Sequence, residues 1–436
     1  MEESIHFEYA VYLLPTTASL TQDATTLLRQ SLPKYPGLIV VDELPKTPQA
    51  MFVYAHVNKN VKKSYAPPRV ESLRRFGRGL TEDQAKALQQ STSALLLDFA
   101  HPRKDVWAAL RTASGLVEEI ARKSGGLVWD EETREVFSPD AWHQKRLASW
   151  TNEIPDVSTQ TVIHIYPNGE YARAITLGMS KIGLPDVVVE ESSWSSDNQV
   201  GNLINIFSQA LAETQRPLIS SNFRLDLHAI KNVRLRENHV KSLKPNAAGV
   251  ACLSLAEGKW EEGDPKNRLV RLASDEYPGN DSHAQQEAML SSFFGWEDSM
   301  VKVHDNEELL VASTKAKGEL PELRKAFNAG LEPGEFIEVK APFRAENGAT
   351  EWMWVEVTSW KGDRIKGVLN NDPEEVANLR AGQIVEVREG DVFDYLHNYA
   401  DKHTEGNTTG EIIRKMSEGE VKNPSTPSAV PACATK

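Results

Sequence analysis

Cysteine is nearly absent: there are two in 436 residues, Cys252 inside an apolar run and Cys433 close to the C-terminus. Two thiols build neither a disulfide framework nor a thiolate zinc site, and such sparing use agrees with a reducing compartment. Cys252, flanked by Val250, Ala251, Leu253 and Leu255 with no base nearby, is expected to be a small buried side chain. Long apolar runs are missing too. No stretch reaches the roughly 18 uninterrupted apolar residues that cross a bilayer, and the start MEESIHFEYAVYLLP has acids where a signal peptide needs bases. The expected location is the cytoplasm, without membrane contact.

Motifs for chemistry are equally scarce. Neither G-x-x-x-x-G-K-[ST] nor a G-x-G-x-x-G following a strand occurs, so no nucleotide or other cofactor is expected. The eleven histidines form no H-E-x-x-H or H-x-H; His397 and His403, near Asp391 and Asp394, are the closest approach to a ligand set and read as surface residues, so no metal is expected. Ser180 in GMSKIG has its second glycine one position too late for a nucleophile elbow, and Ser299 with Lys302 lacks the companion motifs of an S-x-x-K enzyme. No catalytic residue is assigned.

What is present is charge, and it is unevenly placed. The chain carries 62 acids and 49 bases, a net of −13, and residues 331–400 alone hold 14 acids and 7 bases. An acidic protein repels nucleic acid at long range, so nucleic acid is not the expected partner. One basic island stands against this field in residues 59–78, where Lys62, Lys63, Arg74, Arg75 and Arg78 are the candidate anion ligands. The plainer reading of the same island is a solvated loop around Pro67 and Pro68.

Periodicity gives an α+β protein of several units. Residues 1–217 read as an N-terminal αβ unit with mixed sheets, divisible into halves near 155. Strands appear at FEYAVYLL, LIVVDEL, MFVYAHV and SALLLDFA; Thr21 and Thr81 are N-caps, the longest helix runs from about Lys104 to Lys123, and Gly125 stops it. LVWDEETREVF reads as a hairpin, and Asn168-Gly169 marks a second. Residues 218–330 form a middle α+β section. Residues 331–421 switch to short alternating strands and are expected to form a small, strongly bent sheet or barrel-like domain, with one short helix, PEEVANLRAG, capped by Asp372. Residues 422–436, with three prolines, read as a disordered tail.

The C-terminal residues EFIEVKAPF, EWMWVEVTSWKGDRIKGVLNNDPEEVANLRAGQIVEV, DVFDYLHNYAD and GNTTGEIIRKM resemble, over 331–420, the bacterial YegJ-like family, domain of unknown function 2314; the likeness extends more loosely from about 255. The segments AVYLLP, SALLLDFAHPRKD, GGLVWDEETREVFSPDAW and ARAITLGMSKIGLPDVVVEE, within 7–215, are similar to another uncharacterised bacterial αβ-repeat family, domain of unknown function 4261. Neither resemblance brings a catalytic residue. The YegJ-like layout is similar to small bacterial immunity-type domains, which neutralise toxins by covering them.

Within the C-terminal unit, alternation puts Trp352 and Trp354 on one strand face and Met353 and Val355 on the other. One face is core. An exposed Trp352–Trp354 strip rimmed by Glu351 and Glu356 would be a protein-binding face; alternatively, both faces are buried between this unit and the preceding one. The leading expectation is a non-catalytic, immunity-like protein whose acidic C-terminal domain docks a protein partner, of basic charge if attraction drives the encounter. A hydrolase with a cleft between the N-terminal and middle units, and anion or nucleic-acid binding through 59–78, are the competing readings.

Overall fold

The computed structural model describes residues 4–15, 24–150, 154–168, 171–192, 196–214, 222–244, 247–279, 281–295, 307–344, 350–370, 373, 376, 379–417 and 433. They form three sheets. The first contains β1 (Ser4–Leu13), β2 (Leu38–Val41), β3 (Met51–Asn58), β4 (Gly77–Arg78), β5 (Ser93–Pro102), β6 (Leu127–Asp130) and β7 (Glu135–Phe137), in the order β2-β3-β5-β1-β6-β7-β4. β1 and β5 pair antiparallel along their whole length. Both are nearly continuous apolar runs, which suits strands covered on both faces.

Six helices cover this sheet: α1 (Ala24–Ser31), α2 (Val61–Ser64), α3 (Val70–Phe76), α4 (Glu82–Leu88), α5 (Val106–Ser124) and α6 (Pro139–Trp142). The stripe of α5, including Leu110, Val117 and Ile120, packs with Val11 and Leu97 on one face, while Val61, Leu73 and Leu88 pack with Tyr12 and Leu96 on the other. Gly125 ends α5 in the left-handed region, φ 63°, where an L side chain would be strained. Thr81 caps α4 in a reciprocal box with Gln84. The expected Thr21 cap lies outside the described residues.

The second sheet joins β8 (Val162–Asn168), β9 (Tyr171–Leu177), β10 (Asp186–Ser192), β11 (Asn222–Asp226), β12 (Val250–Glu257) and β13 (Leu269–Ala273), in the order β11-β12-β13-β10-β9-β8. α7 (Asp197–Thr214), α8 (Val233–Ser242) and α9 (Ser282–Phe294) accompany it. β8 and β9 form the expected hairpin, closing at Asn168↔Tyr171, with Gly169 itself outside the described residues. The boundary expected at 217 falls inside this sheet, because β10 pairs parallel with β13. Local periodicity carries no sign of a pairing between segments so distant in sequence. The first two sheets share one apolar core, from Phe7 and Phe99 to Ile204, Phe207 and Leu253.

A buried ionic network also joins them. Lys181 Nζ and Arg146 Nη2 donate to Asp130 at 2.6 and 2.8 Å, and Arg146 also reaches Glu135 at 3.1 Å. All four side chains are buried. Burial pushes the Lys181 amine down to about 8, while the Arg146, Lys145 and Arg78 cations hold Glu135 down at about 2 despite its burial.

The third sheet is antiparallel and open, in the order β17-β16-β15-β14-β18-β19, with β14 (Phe336–Arg344), β15 (Thr350–Lys361), β16 (Arg364–Leu369), β17 (Ile384–Arg388), β18 (Asp394–Asn398) and β19 (Thr404–Gly406). It is a sheet with two edges, the first of the two forms expected. α10 (Glu307–Ala329) and α11 (Thr408–Ser417) flank it. Ala316, Leu320 and Leu323 of α10 pack against Ile337, Val339, Met353 and Val355, so this unit begins with α10, ahead of the expected start at 331. Of the helix expected at PEEVANLRAG, residues 374, 375, 377 and 378 lie outside the described residues, and the described ones, 373, 376 and 379–382, are not helical.

Of the tail 422–436, only Cys433 is described. It forms a disulfide with Cys252, with Cα atoms 5.2 Å apart across a separation of 181 residues. Cys252 is buried as expected, but it is not a free thiol. Among the described residues, no helix is long and apolar enough to cross a membrane.

Candidate partner-binding site

β15 has the alternation read from its sequence. Met353, Val355 and Val357 face α10, and Trp352, Trp354 and Glu356 point to the opposite face. That second face is not an open aromatic strip. Glu351 and Glu356 are only 4% and 2% exposed, and Trp352 and Trp354 are half-buried. Trp352 packs against Phe393 with ring centroids 4.6 Å apart and planes tilted by 43°, in a small cluster with Leu309 and Ile412. Lys340 Nζ sits 5.7 Å from the centre of the Trp354 ring. The rim of exposed carboxylates expected at Glu351 and Glu356 is therefore corrected. α9 approaches this face: a Cβ on Gly382 would lie 2.7 Å from Ala284, and the field of Glu287 reaches Glu338.

The most unusual feature of this face is a pair of carboxyl groups. Glu338 and Glu356 are direct partners in the β14–β15 ladder, and both are buried. Like charges opposed across a ladder repel, and burial disfavours ionisation further. Burial, then Glu356, push the Glu338 carboxyl up to about 8, against the hydrogen bond that Asn370 Nδ2 donates to it.

Glu356 also lines a cleft of about 280 Å³ between the β8–β9 hairpin and the C-terminal sheet. Glu332 and Glu335 supply two more carboxylates. Tyr171, Phe327, Leu331, Phe336 and Val357 make an apolar floor, with Pro167, Pro333 and Thr358 completing the lining. No Lys, Arg or His is among these lining residues. Glu332 pairs with Arg75 at 2.9 Å, and Glu335 Oε1 lies 2.7 Å from His397 Nε2.

His397 and His403 stack on the two sides of Tyr399, with centroids 3.9 and 4.0 Å from it. Imidazoles separated by a phenol ring cannot share one ion. Asp394 instead accepts from the Thr409 amide and hydroxyl at 2.8 and 2.6 Å, anchoring α11. Among the described residues, no group of three or more His, Cys, Asp or Glu is arranged to hold a metal.

The basic island is partly committed to carboxylates. Arg78 donates to buried Glu135 at 2.6 Å and Arg75 takes Glu332, while Lys62, Lys63 and Arg74 stand exposed. Ser180 donates to Glu132 at 2.5 Å on a 3₁₀ turn whose next residue, Lys181, is held by Asp130. Sequence reasoning missed the Glu338–Glu356 pair and the cleft. The strand alternation around Trp354 was a usable signal for Glu356, but nothing local set Glu338 opposite it.

By its fold, the C-terminal unit is an open antiparallel sheet with an α-helix packed on its core face. Residues 307–426 match the profile of a family described as "Uncharacterized protein conserved in bacteria (DUF2314)". Over 110 residues the chain is 26% identical to "Uncharacterized protein YegJ" of Escherichia coli (strain K12), an alignment that covers 25% of this chain and 70% of that protein. Residues 307–426 are thus similar to the YegJ-like DUF2314 family, and the matched stretch begins where α10 begins. No solved structure matches the chain.

Proposed function

We propose that this chain is a non-catalytic, immunity-like binding protein of the bacterial cytoplasm that docks a basic protein through its acidic C-terminal domain. The observation that carries the reading is charge segregation onto one folded unit. Residues 331–400 have a two-to-one excess of acids, 14 against 7, and Glu332, Asp363, Glu386 and Asp391 are exposed. A domain of one sign steers an oppositely charged partner and raises the association rate. The hydrolase reading has less support, since Ser180 hydrogen-bonds a carboxylate and Lys181 is enclosed in the ionic network. The test is purification from native cells at low salt, followed by mass spectrometry. A stoichiometric basic protein is the expected companion; a tightly held metabolite with no protein would favour an enzyme.

A further inference from the structure

We propose that Cys252 and Cys433 form a redox latch: as a disulfide they fasten the C-terminal end of the chain to β12, and as two thiols they release it. The physiological setting rests on the cytoplasmic part of the proposed function; the chemistry stands apart from the docking of a basic protein.

The chain has two cysteines, and the fold bonds them to each other across 181 residues. One intramolecular disulfide can form, with no other to exchange with. In a reducing compartment a disulfide is typically transient, catalytic or redox-sensing, and not a permanent staple. The place of Cys252 fits that role. Ala251 and Leu253 enter the main core, so alternation turns Cys252 to the opposite face of the second sheet. On that face Arg224 is exposed, and Asn222, Asp226 and Ser254 are half-buried. Cys252 itself is 1% exposed, and the residue bonded to it is the half-buried Cys433. Arg224 is also the direct ladder partner of Cys252, which sets a cation on the same face. A neighbouring cation favours the thiolate, the form that attacks peroxides and disulfides.

The loop closed by the bond contains α9, α10, the whole third sheet and α11. The oxidised chain therefore joins the C-terminal unit to the second sheet by two covalent routes, and the reduced chain by one. Closure is a two-electron oxidation, for which a hydroperoxide is the named oxidant. With hydrogen peroxide, one thiolate attacks an oxygen and the O–O bond breaks, giving a sulfenic acid and water. The second thiolate then displaces the sulfenic oxygen as water and the S–S bond forms. Opening takes two exchange steps with reduced glutathione, which return both thiols and yield glutathione disulfide.

The experiment uses the full chain. Oxidised protein is incubated under native conditions with reduced glutathione and then with hydrogen peroxide, and free thiols are counted by alkylation and mass spectrometry. Glutathione should open the bond and peroxide should re-close it within one chain. Release is read separately, as the rate at which a maleimide modifies Cys252 in folded Cys433→Ser and in reduced wild type. Both rates should agree and lie within about a hundredfold of the denatured chain; a thiol uncovered only by global unfolding would react more than about a thousandfold more slowly. A bond that glutathione leaves intact in the folded chain, a peroxide product that joins two chains, or a Cys252 that stays unreactive in C433S overturns the latch. Acid-quenched alkylation of native cells then separates the setting from the chemistry. A pair reduced in unstressed cells and closed after peroxide stress supports both. A bond closed in unstressed cells, yet opened by glutathione in the purified chain, contradicts the cytoplasmic reading and leaves the latch standing.

Discussion

Glu338 gives the sharpest residue-scale expectation. Its carboxyl is pushed up to about 8 in the folded chain by burial and by Glu356, against 4.5 as its ordinary value. A carboxyl raised on folding binds more protons in the folded state, so its contribution is fully present below about pH 4.5 and is lost as pH rises through about 8. Glu8 and Asp186, each pushed up to about 7 chiefly by burial, act in the same direction. The melting temperature should therefore fall between pH 6 and 9, and E338Q should flatten that fall, since one titrating group contributes a slope of up to about 1.4 kcal/mol per pH unit. A pH profile of E338Q parallel to the wild type would show that Glu338 is ionised throughout. At this scale, alternation made legible which β15 residues share a face. It did not reveal that α9 comes up to the second face, where Glu356 is buried, because a single strand carries no record of what packs against it.

Among the elements, α10 belongs to the C-terminal sheet. Ala316, Leu320 and Leu323 are part of its core, so a fragment of residues 307–421 should give dispersed amide and indole resonances, while one starting at 331 should be poorly dispersed. Equal dispersion in both would mean the sheet closes its core without the helix. Helix α5, the β6–β7 hairpin and the caps at Thr81 and Gly125 were readable because each depends on neighbours within a few residues, but α10, with 23 residues against 19, and not α5 as expected, is the longer helix. The β10–β13 pairing and the Cys252–Cys433 bond were not, since both join segments far apart in sequence. That bond changes what is expected of the tail. In oxidised protein Cys433→Ser should lower stability, by up to about 5 kcal/mol on a loop-closure argument for a loop of this size. With reductant present the variant and the wild type should melt together; a difference that persists under reduction would place the effect in packing around Cys433 instead of the covalent link.

Across the whole molecule, the three units meet where Arg75 of α3 pairs with Glu332 and where the β8–β9 hairpin walls the acidic cleft. The basic island and the acidic domain, read from the sequence as separate features, touch at this junction, and two of the five candidate anion ligands, Arg75 and Arg78, are engaged by carboxylates there and on β7. The central claim is that the acidic domain recognises a basic protein. The most direct measurement compares co-purification from native cells by the wild-type chain and by a Glu332→Lys, Glu386→Lys, Asp391→Lys variant, at low and raised salt with folding checked by melting. Exposed carboxylates contribute little to stability, so the variant should fold normally. A basic protein held by the wild type, released by salt and lost in the variant, is the predicted result; a basic partner retained equally by the variant, or partners that are only neutral or acidic, would contradict it.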